Sequence, residues 1–455
     1  MFTFRLAKET QIEALLQLTY NQASSYRKPT LDLIQMTCEQ FGQYFRSHGQ
    51  VYTICENEHL LGYYWIEIRD RTLYLNGLII REAWRGKGIG TWVLEMLEAT
   101  YRFRLQAIEL IVHRSNSRAK ALYERCGYQV VEEHADSGFF RMQKPMEMIF
   151  ARDFIDWLLE SESPTIRYLT LRRLFRLPET DPAVQDAWRE LNTSGAVRAI
   201  LSRQSASGAW QNERSYYTPK YTSTHWSLML LTELNVDPCD EGLQRGVQYM
   251  LDATRNELKL AVKNEHEGMA CFWGNLLRYA LHARRSDDQD VTRVLGYVLK
   301  QALEANWRCP YNYELPCAWG AARSLWGLAA LTENSYSAEI EAAICSGLDF
   351  LLRKHSLAEA TYPDAQHIHS LWSRLNFPLF YQADILFVLR VLSELGRLDD
   401  PGVQPALAWL AARRKLTGRW RGASPYRKRT WPWLGNAEET DRWVSLQAAL
   451  VLGVK

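Results

Sequence analysis

Apolar positions in the first third of the chain alternate between runs of strand length and stretches with helical spacing. A helix over residues 9–22 places Ile12, Leu15, Leu16 and Leu18 on one side, and a second helix is predicted over residues 31–45. Short runs rich in β-branched and large apolar residues predict strands at residues 2–6, 51–55, 60–68, 73–80, 108–112, 128–132 and 139–143. This mixture of elements indicates an α+β domain.

From residue 149 the strand pattern ends, and helical periodicity continues to the C-terminus. Apolar helices, each followed by a more amphipathic helix, are predicted to start near Thr165, Tyr221, Gly268, Leu315, Phe377 and Glu438. Repeated helix pairs of this length form a solenoid or a closed ring, and six pairs would close an α/α toroid. The sequence therefore predicts a first domain at residues 1–148 and an all-α domain at residues 149–455.

Three glycines separate the strand at residues 73–80 from the helix that follows it. Gly86, Gly88 and Gly90 let the backbone turn sharply, and the N–H groups at the start of the new helix favour an anion such as a pyrophosphate. A P-loop would need Gly-Lys-Ser/Thr at the end of the loop, and a dinucleotide fold would need a third glycine three residues after the second. The spacing fits neither pattern.

Two motifs mark this region. The first is Arg-x-x-Gly-x-Gly, formed by Arg85, Gly88 and Gly90. The second is Asn-x-x-Ala-x-x-Leu-Tyr-x-x-x-Gly-Tyr, which runs from Asn116 to Tyr128. Both resemble signature elements of the GNAT superfamily of N-acetyltransferases. The resemblance covers residues 1–148, and it implies a GNAT fold with a central, mostly antiparallel sheet and acetyl-CoA as the acyl donor.

The resemblance also implies roles for individual residues. The thioester carbonyl would be held by backbone N–H groups near Leu78, Ile79 and Ile80. The pyrophosphate would meet the segment made of Arg85, Gly86, Lys87, Gly88, Ile89, Gly90 and Thr91. Tyr123 would protonate the leaving thiolate, and Asn116 would cap its helix and contact the CoA arm. Tyr123 could otherwise be a core residue, and Asn116 only a helix cap.

The general base is less well marked. Many relatives carry a carboxylate where this chain has Asn76, which accepts no proton and is assigned to acceptor binding. Glu67, on the preceding strand, is the nearest substitute, with Tyr74 as a water-holding partner. The alternatives are that Glu67 is an ordinary surface glutamate, or that water deprotonates the amine.

The second domain carries a different motif. The segment from Gln204 to Trp210 resembles the Gln-x-x-x-Gly-x-Trp repeat of terpenoid cyclases and protein prenyltransferases, and Gly418 and Trp420 repeat its end, with Arg414 in place of the glutamine. The resemblance covers residues 150–455 and implies the α/α toroid. The Asp-x-Asp-Asp acid and the Asp-Asp-x-x-Asp metal motif of those enzymes do not occur. The motif therefore supports the fold and not the activity.

Polar residues on the inner helices are candidates for a ligand pocket in this domain. They are Tyr221, His225, Tyr381 and Asp384. A satisfied structural network would give the same pattern. Cys271, Cys309 and Cys317, with His225, have the chemistry of a zinc site, but buried reduced thiols are the commoner arrangement, and no metal is predicted.

Charge and composition set the remaining limits. The 455 residues have a formal net charge of +2 and eight cysteines without a CxxC pair. No apolar run is long enough for a membrane span, and the first residues lack a signal peptide, so a cytoplasmic protein is expected. Residues 413–429 hold eight basic residues and no acid, next to aromatic residues. A solvated surface explains such a run more often than nucleic-acid binding does.

These patterns together predict an acetyl-CoA-dependent N-acetyltransferase acting on an unidentified amine, a small molecule or a peptide or protein, with the toroid binding or shaping the acceptor. Two alternatives remain open. The toroid could be a second enzyme acting on an isoprenoid or another bulky substrate, or the whole chain could be a binding protein that responds to acetyl-CoA.

Overall fold

The computed structural model describes residues 3–22, 27–56, 59–69, 72–101, 105, 107–146, 152–262, 269–332, 335–363 and 369–453. Two residues named in the sequence predictions, Phe2 and Gly268, lie outside these ranges. The chain divides into two compact units, Met1–Phe150 and Ala151–Lys455.

The first unit contains a seven-stranded mixed sheet with helices. Its elements are β1 (Thr3–Leu6), α1 (Glu9–Gln22), α2 (Arg27–Leu33), α3 (Cys38–Ser47), β2 (Gln50–Glu56), β3 (His59–Arg69), β4 (Thr72–Ile80), α4 (Ile89–Tyr101), β5 (Ala107–His113), α5 (Ser117–Arg125), β6 (Gln129–His134) and β7 (Phe139–Pro145). The strand order is β1-β2-β3-β4-β5-β7-β6, with β4 and β5 parallel and the other neighbouring pairs antiparallel. The predicted mostly antiparallel sheet is confirmed.

The single helix predicted over residues 31–45 is two helices. Gln35 adopts a left-handed backbone conformation (φ 53°), which ends the first helix region. Thr37 then starts α3 with a capping box, because its hydroxyl accepts the Gln40 N–H at 3.2 Å and the Gln40 side chain accepts the Thr37 N–H at 2.8 Å. The Thr-x-x-Gln spacing was the sequence signal for this second start.

The sheet carries an apolar core on each face. One cluster includes Tyr63 and Trp65 of β3 with residues of α1 and α3. The other joins β3, β4 and β5 to the apolar side of α4, where Ile89, Val93 and Leu97 are nearly inaccessible to solvent. Burial on both faces fixes the strand register, since a slip of one residue would turn each side chain to the opposite face.

The two central strands separate soon after they meet. Within the described part of the chain, β4 and β5 pair from Thr72 to Tyr74 on β4, against Ala107 to Glu109 on β5. Opposite β3, the register shifts so that Trp65 pairs with Gly77 and Ile66 with Leu75, which leaves Asn76 as the extra residue of a β-bulge. A bulge bends its strand, and residues 75–80 of β4 have no described β-bridge partner on β5.

The second unit is helical, and the part of it that the structure describes has isolated β-bridges but no strands. Its helices are α6 (Arg152–Leu159), α7 (Pro164–Leu169), α8 (Pro182–Thr193), α9 (Gly195–Leu201), α10 (Thr224–Glu233), α11 (Glu241–Val262), α12 (Ala270–His282), α13 (Gln289–Leu303), α14 (Ala318–Leu328), α15 (Ala338–Leu348), α16 (Ile385–Glu394), α17 (Gln404–Ala411) and α18 (Ala437–Gly453). π-helical turns follow α7 at Thr170–Leu174 and α15 at Asp349–Arg353. The start predicted near Phe377 is displaced to Ile385, because Asp384 is the N-cap of α16.

Glycines bring α12 and α14 into backbone contact. A Cβ added to Gly274 would lie 2.6 Å from the Arg323 carbonyl oxygen, and one added to Gly327 would lie 2.6 Å from the Gly274 carbonyl oxygen. A Cβ at Gly320 would touch Ala270 at 3.4 Å. Residues near the start of α12 contact residues near the start of α14, and later residues contact later ones. The two helices therefore run parallel.

Charged residues on these buried helices meet partners far away in the sequence. Arg390 of α16 pairs with Glu233 of α10 at 2.8 Å, and Arg278 of α12 pairs with Glu394 of α16 at 2.6 Å. The fully buried Arg323 of α14 donates from Nε to the Gln382 carbonyl oxygen at 3.0 Å. The two ion pairs join α10, α12 and α16, and the Arg323 bond joins α14 to the segment before α16.

The stability of the second unit is expected to fall on mild acidification. Burial lowers the pKa of His225 to about 3 and that of His282 to about 4, whereas a free imidazole has a pKa of about 6.5. Between those values the unfolded chain binds protons that the native unit does not, so the free energy of unfolding decreases as pH falls from 6.5 towards 4. The slope should approach about 1.4 kcal/mol per pH unit for each histidine. Asp384 opposes this effect, because burial raises its pKa to about 6 and the folded unit therefore binds a proton there that the unfolded chain does not. The net difference is then about one proton, and stability still falls as pH falls.

Urea unfolding at several pH values, followed by tryptophan fluorescence, measures this slope, since 14 of the 17 tryptophans lie after residue 151. His282→Gln keeps an N–H donor for the Val236 carbonyl oxygen, which lies 2.8 Å from His282 Nε2. On unfolding, this variant should bind about one proton fewer than the wild type, so its unfolding free energy should depend less on pH. If the unfolding free energy of the variant changed with pH as steeply as that of the wild type, His282 would have the same pKa in the folded and unfolded states.

Candidate active site

The glycine loop forms a cradle at the start of α4. Gly86 and Gly88 have φ values of 81° and 78°, a left-handed conformation that favours glycine. The first helical bond of α4 runs from the Trp92 N–H to the Gly88 carbonyl oxygen at 3.0 Å. The N–H groups of Ile89, Gly90 and Thr91 precede that bond, and the first turn of a helix has no carbonyl partners of its own for such donors. The cradle can therefore hold an anion.

A cavity of about 540 Å³ lies against the cradle. It is lined by most of the predicted cofactor-binding residues and by the proposed acid: Leu78, Ile79, Ile80, Arg85, Gly86, Gly88, Ile89, Gly90, Thr91, Asn116 and Tyr123. Lys87 does not line it, and its Nζ lies 4.2 Å from the centre of the Trp84 ring. The cavity thus joins the end of β4, the start of α4 and one side of α5.

The cavity is also lined by two arginines that the motif did not indicate. Arg118 and Arg125 join Arg85 at its wall, and Arg85 donates from Nε to the Ile80 carbonyl oxygen at 3.0 Å. Arg118, Leu122 and Arg125 are spaced four and three apart, which puts them on one helix face. That spacing was the available sequence signal. Three guanidinium groups and helix N–H donors suit a polyanion.

Tyr123 and Asn116 are both placed by α5. Tyr123 lines the cavity with 8% of its surface exposed, and its ring lies 5.9 Å from that of Tyr128. Asn116 is the N-cap, with Oδ1 accepting the Ala119 N–H at 3.2 Å, and it lines the cavity as well. Tyr123 is therefore both a core residue and a wall of the cavity.

Glu67 sits in an ion pair instead of beside the cavity. Arg69 donates to it at 2.8 and 2.6 Å, the Tyr44 hydroxyl donates at 2.8 Å, and Asn76 Nδ2 lies at 3.4 Å. The hydrogen bonds from Arg69 outweigh the effect of burial and lower the pKa of Glu67 to about 2. Tyr74 packs under the Arg69 guanidinium at 5.3 Å. Such a carboxylate is a weak base at neutral pH.

The four polar residues predicted for a pocket in the second unit have different surroundings. Burial and the neighbouring Tyr221 raise the pKa of Tyr381, and Lys220 Nζ lies 5.4 Å from the centre of the Tyr381 ring. The buried His225 is stacked on Phe272 at 4.5 Å. Asp384 caps α16, accepting the N–H groups of Phe387 at 2.7 Å and Asn376 at 2.8 Å. Asp384 therefore has a structural partner for each carboxylate oxygen.

The basic run at residues 413–429 has mainly structural contacts. In the basic run, the guanidinium carbon of Arg413 lies 3.6 Å from the centre of the Trp409 ring, and that of Arg419 lies 4.2 Å from the centre of the Trp157 ring. The Trp420 ring is buried. Buried rings have no face open to a nucleobase.

Among the described residues, no group of three His, Cys, Asp or Glu could hold a metal ion. A search of those same residues finds no helix long and apolar enough to span a membrane.

Comparisons with known proteins address residues 12–128, which match the family model described as the acetyltransferase (GNAT) family. No curated protein matches the chain. Solved structures with similarity include the ribosomal-protein-S18-alanine N-acetyltransferase from Escherichia coli, with 17% identity, 33% of this chain and 98% of that chain covered, and a TM-score of 0.26.

The spermidine N-acetyltransferase from Vibrio cholerae, in complex with CoA and spermine, is also similar, with 19% identity, 32% of this chain and 95% of that chain covered, and a TM-score of 0.26. The PaiA N-acetyltransferase from Thermoplasma acidophilum, in complex with coenzyme A, is similar as well. Its identity is 19%, 32% of this chain and 99% of that chain are covered, and the TM-score is 0.27. The match of residues 12–128 identifies an acetyltransferase domain of the GNAT family within the first unit.

Proposed function

We propose that the first unit is an N-acetyltransferase that transfers the acetyl group of acetyl-CoA to an amine. The observation that carries this proposal is the single cavity wall shared by the glycine cradle, three arginines and Tyr123. The left-handed Gly86 and Gly88 and the cationic lining fit a diphosphate. When bound, acetyl-CoA supplies the acyl group as an activated thioester.

The residues of this chain then have three tasks. The cradle and Arg85, Arg118 and Arg125 bind the diphosphate and so fix the position of the acyl group. Backbone N–H groups near Leu78–Ile80, beside the gap between β4 and β5, hold the carbonyl oxygen as negative charge develops on it. The Tyr123 hydroxyl donates a proton to the departing sulfur.

For the amine itself, the surroundings of Glu67 favour deprotonation by water. With a pKa of about 2, Glu67 holds a proton only weakly. Its pair with Arg69 instead fixes the strand surface next to the bulge at Asn76. In this proposal Glu67 positions neighbouring groups, and Asn76 is exposed to the acceptor.

Gly88→Asp tests the function. The aspartate adds a negative charge to the cradle and strains a left-handed position, so affinity for acetyl-CoA should fall at least about tenfold. Isothermal titration calorimetry on the full chain measures the binding, and an amine library with acetyl-CoA measures transfer.

Gly396→Asp is a matched control for this experiment. Gly396 has φ of 67° and, like Gly88, has no atom of the described residues within 4 Å of an added Cβ, but it lies outside the cavity. The control should keep full affinity. Equal affinity of both variants would place the acetyl-CoA site elsewhere.

We also propose that the second unit is an α/α toroid that binds or shapes the acceptor. Contacts between successive buried helices support a ring: Thr165 of α7 bonds to Leu234 after α10, His225 of α10 to Tyr279 of α12, and α14 packs on α16 through Trp326 and Phe387. α18 packs against α16 and also against α7, as closure of the ring requires. The half-buried Tyr381, under Lys220, is its candidate acceptor contact.

A further inference from the structure

A loop between α13 and α14 brings two cysteines together. We call residues 306–317 the cysteine loop. Arg308 and Pro316 form an antiparallel β-bridge in it. The Cys309 N–H donates to the Leu315 carbonyl oxygen at 3.2 Å, and the Cys317 N–H donates to the Trp307 carbonyl oxygen at 2.9 Å. Both cysteines flank the bridge, so their side chains leave the same face of the loop.

Contacts with the rest of the unit hold the cysteine loop in a strained shape. Asn306, Trp307, Tyr313 and Glu314 all have positive φ, between 48° and 62°, and non-glycine residues adopt such values only where their surroundings impose them. The Trp307 side chain is fully buried. Asn312 Nδ2 donates to the carbonyl oxygens of Pro316 at 3.0 Å and Pro363 at 3.2 Å. The positions of the two sulfurs are therefore set by packing.

The two thiols lie close enough to change each other's ionisation. Cys317 Sγ accepts the Gly320 N–H at 3.4 Å, at the start of α14. The Asn312 N–H donates to the Cys309 carbonyl oxygen at 2.9 Å, which holds the turn next to Cys309. Cys271, at the start of α12, lies close enough to act electrostatically on both thiols. The cysteine loop and the two helix starts therefore bring the thiols into one cluster.

The chemistry of the two sulfurs differs accordingly. The neighbouring Cys317 thiol lowers the pKa of Cys309 to about 7, against opposing effects of burial and of the Glu314 carboxylate. The neighbouring Cys309 thiol and burial raise the pKa of Cys317, and burial raises the pKa of Cys271 to about 12. Cys309 is half-buried, beside the exposed rings of Tyr311 and Tyr313. An accessible thiolate next to a second thiol is the arrangement of redox-active cysteines.

We propose that Cys309 and Cys317 form a redox-active dithiol whose substrate is the disulfide of a small thiol. The Cys309 thiolate attacks one sulfur of the disulfide, forming a mixed disulfide and releasing one thiolate. Cys317 gives its proton to that thiolate and attacks the Cys309 sulfur, which forms the Cys309–Cys317 bond and expels the second thiolate. Two cysteine thiols are oxidised, and one disulfide is reduced to two thiols.

The reaction can be followed in one peptide. Trypsin cleaves after Arg308 and Arg323, and the resulting peptide contains Cys309, Cys317 and no other cysteine. The full chain is incubated with oxidised glutathione, alkylated with iodoacetamide, digested and analysed by mass spectrometry. The expected peptide lacks both alkyl groups and has lost two hydrogens. Recovery of the peptide with both cysteines alkylated would overturn the proposal.

Variants separate the roles of the two sulfurs. Cys317→Ser should stop at a stable mixed disulfide of glutathione on Cys309, and Cys271→Ser should still form the loop disulfide. A bond from either loop cysteine to Cys271 would contradict the pairing. In the wild-type chain, the alkylation rate of Cys309 should reach half its maximum near pH 7, below the value of about 8.5 typical of a thiol. A midpoint at or above that typical value would also overturn it.

Discussion

Tyr123→Phe is expected to lower kcat by about 10²–10⁴-fold while leaving acetyl-CoA affinity almost unchanged, because only the donor of a proton is removed. The aromatic ring stays, so the packing of this buried residue in the core of the first unit is preserved. Turnover can be measured as transfer to an amine or, without an acceptor, as slow hydrolysis of acetyl-CoA, and affinity by calorimetry.

Tyr128→Phe is a matched control for this experiment. Tyr128 lies five residues further along, its ring contacts Tyr123, and its buried hydroxyl has no hydrogen-bond partner among the residues that the structure describes. Removing that hydroxyl removes no bond, so kcat should stay within about twofold, and stability should not fall. If both variants kept full turnover, Tyr123 would have no role as the acid.

Glu233→Ala is expected to destabilise the second unit by about 3–5 kcal/mol, because it leaves Arg390 as a buried charge without its partner. The two side chains are only 7% and 17% exposed, and both carboxylate oxygens of Glu233 accept from Arg390. Burial alone would raise the pKa of Glu233, but the charge of Arg390 holds that pKa below its ordinary value. Urea unfolding at neutral pH measures the loss.

Two comparisons distinguish this effect from simple loss of side-chain volume. The exposed pair of Asp186 and Arg189 lies on α8, and Asp186→Ala should cost less than about 1 kcal/mol. Replacing Glu233 and Arg390 together by Leu and Met removes both charges, so it should destabilise less than Glu233→Ala alone. A double variant less stable than the single one would show that the pair itself contributes net stability.

Features of this protein that depend on a few adjacent residues could be predicted from the amino-acid sequence. Gly86 and Gly88 have the left-handed conformation that the loop requires, and Asn116 caps α5. The starts of most apolar helices in the second unit fall within a few residues of their predicted positions. Such features follow from local steric limits and from periodicity, and both are visible in a single sequence.

Contacts between groups that are far apart in the sequence could not be predicted in this way, because they depend on how the elements pack. Glu67 is on the predicted strand, but its pair with Arg69 and Tyr44, which makes it a poor base, required the packing of α3 on the sheet. Asp384 was predicted as a pocket residue; it lines a small cavity with Asn376 and Arg390, and it also caps α16. The reason is that register, bulges and helix packing set the partner of a polar side chain, and these arise only when segments separated by many residues come together, as Glu233 and Arg390 do.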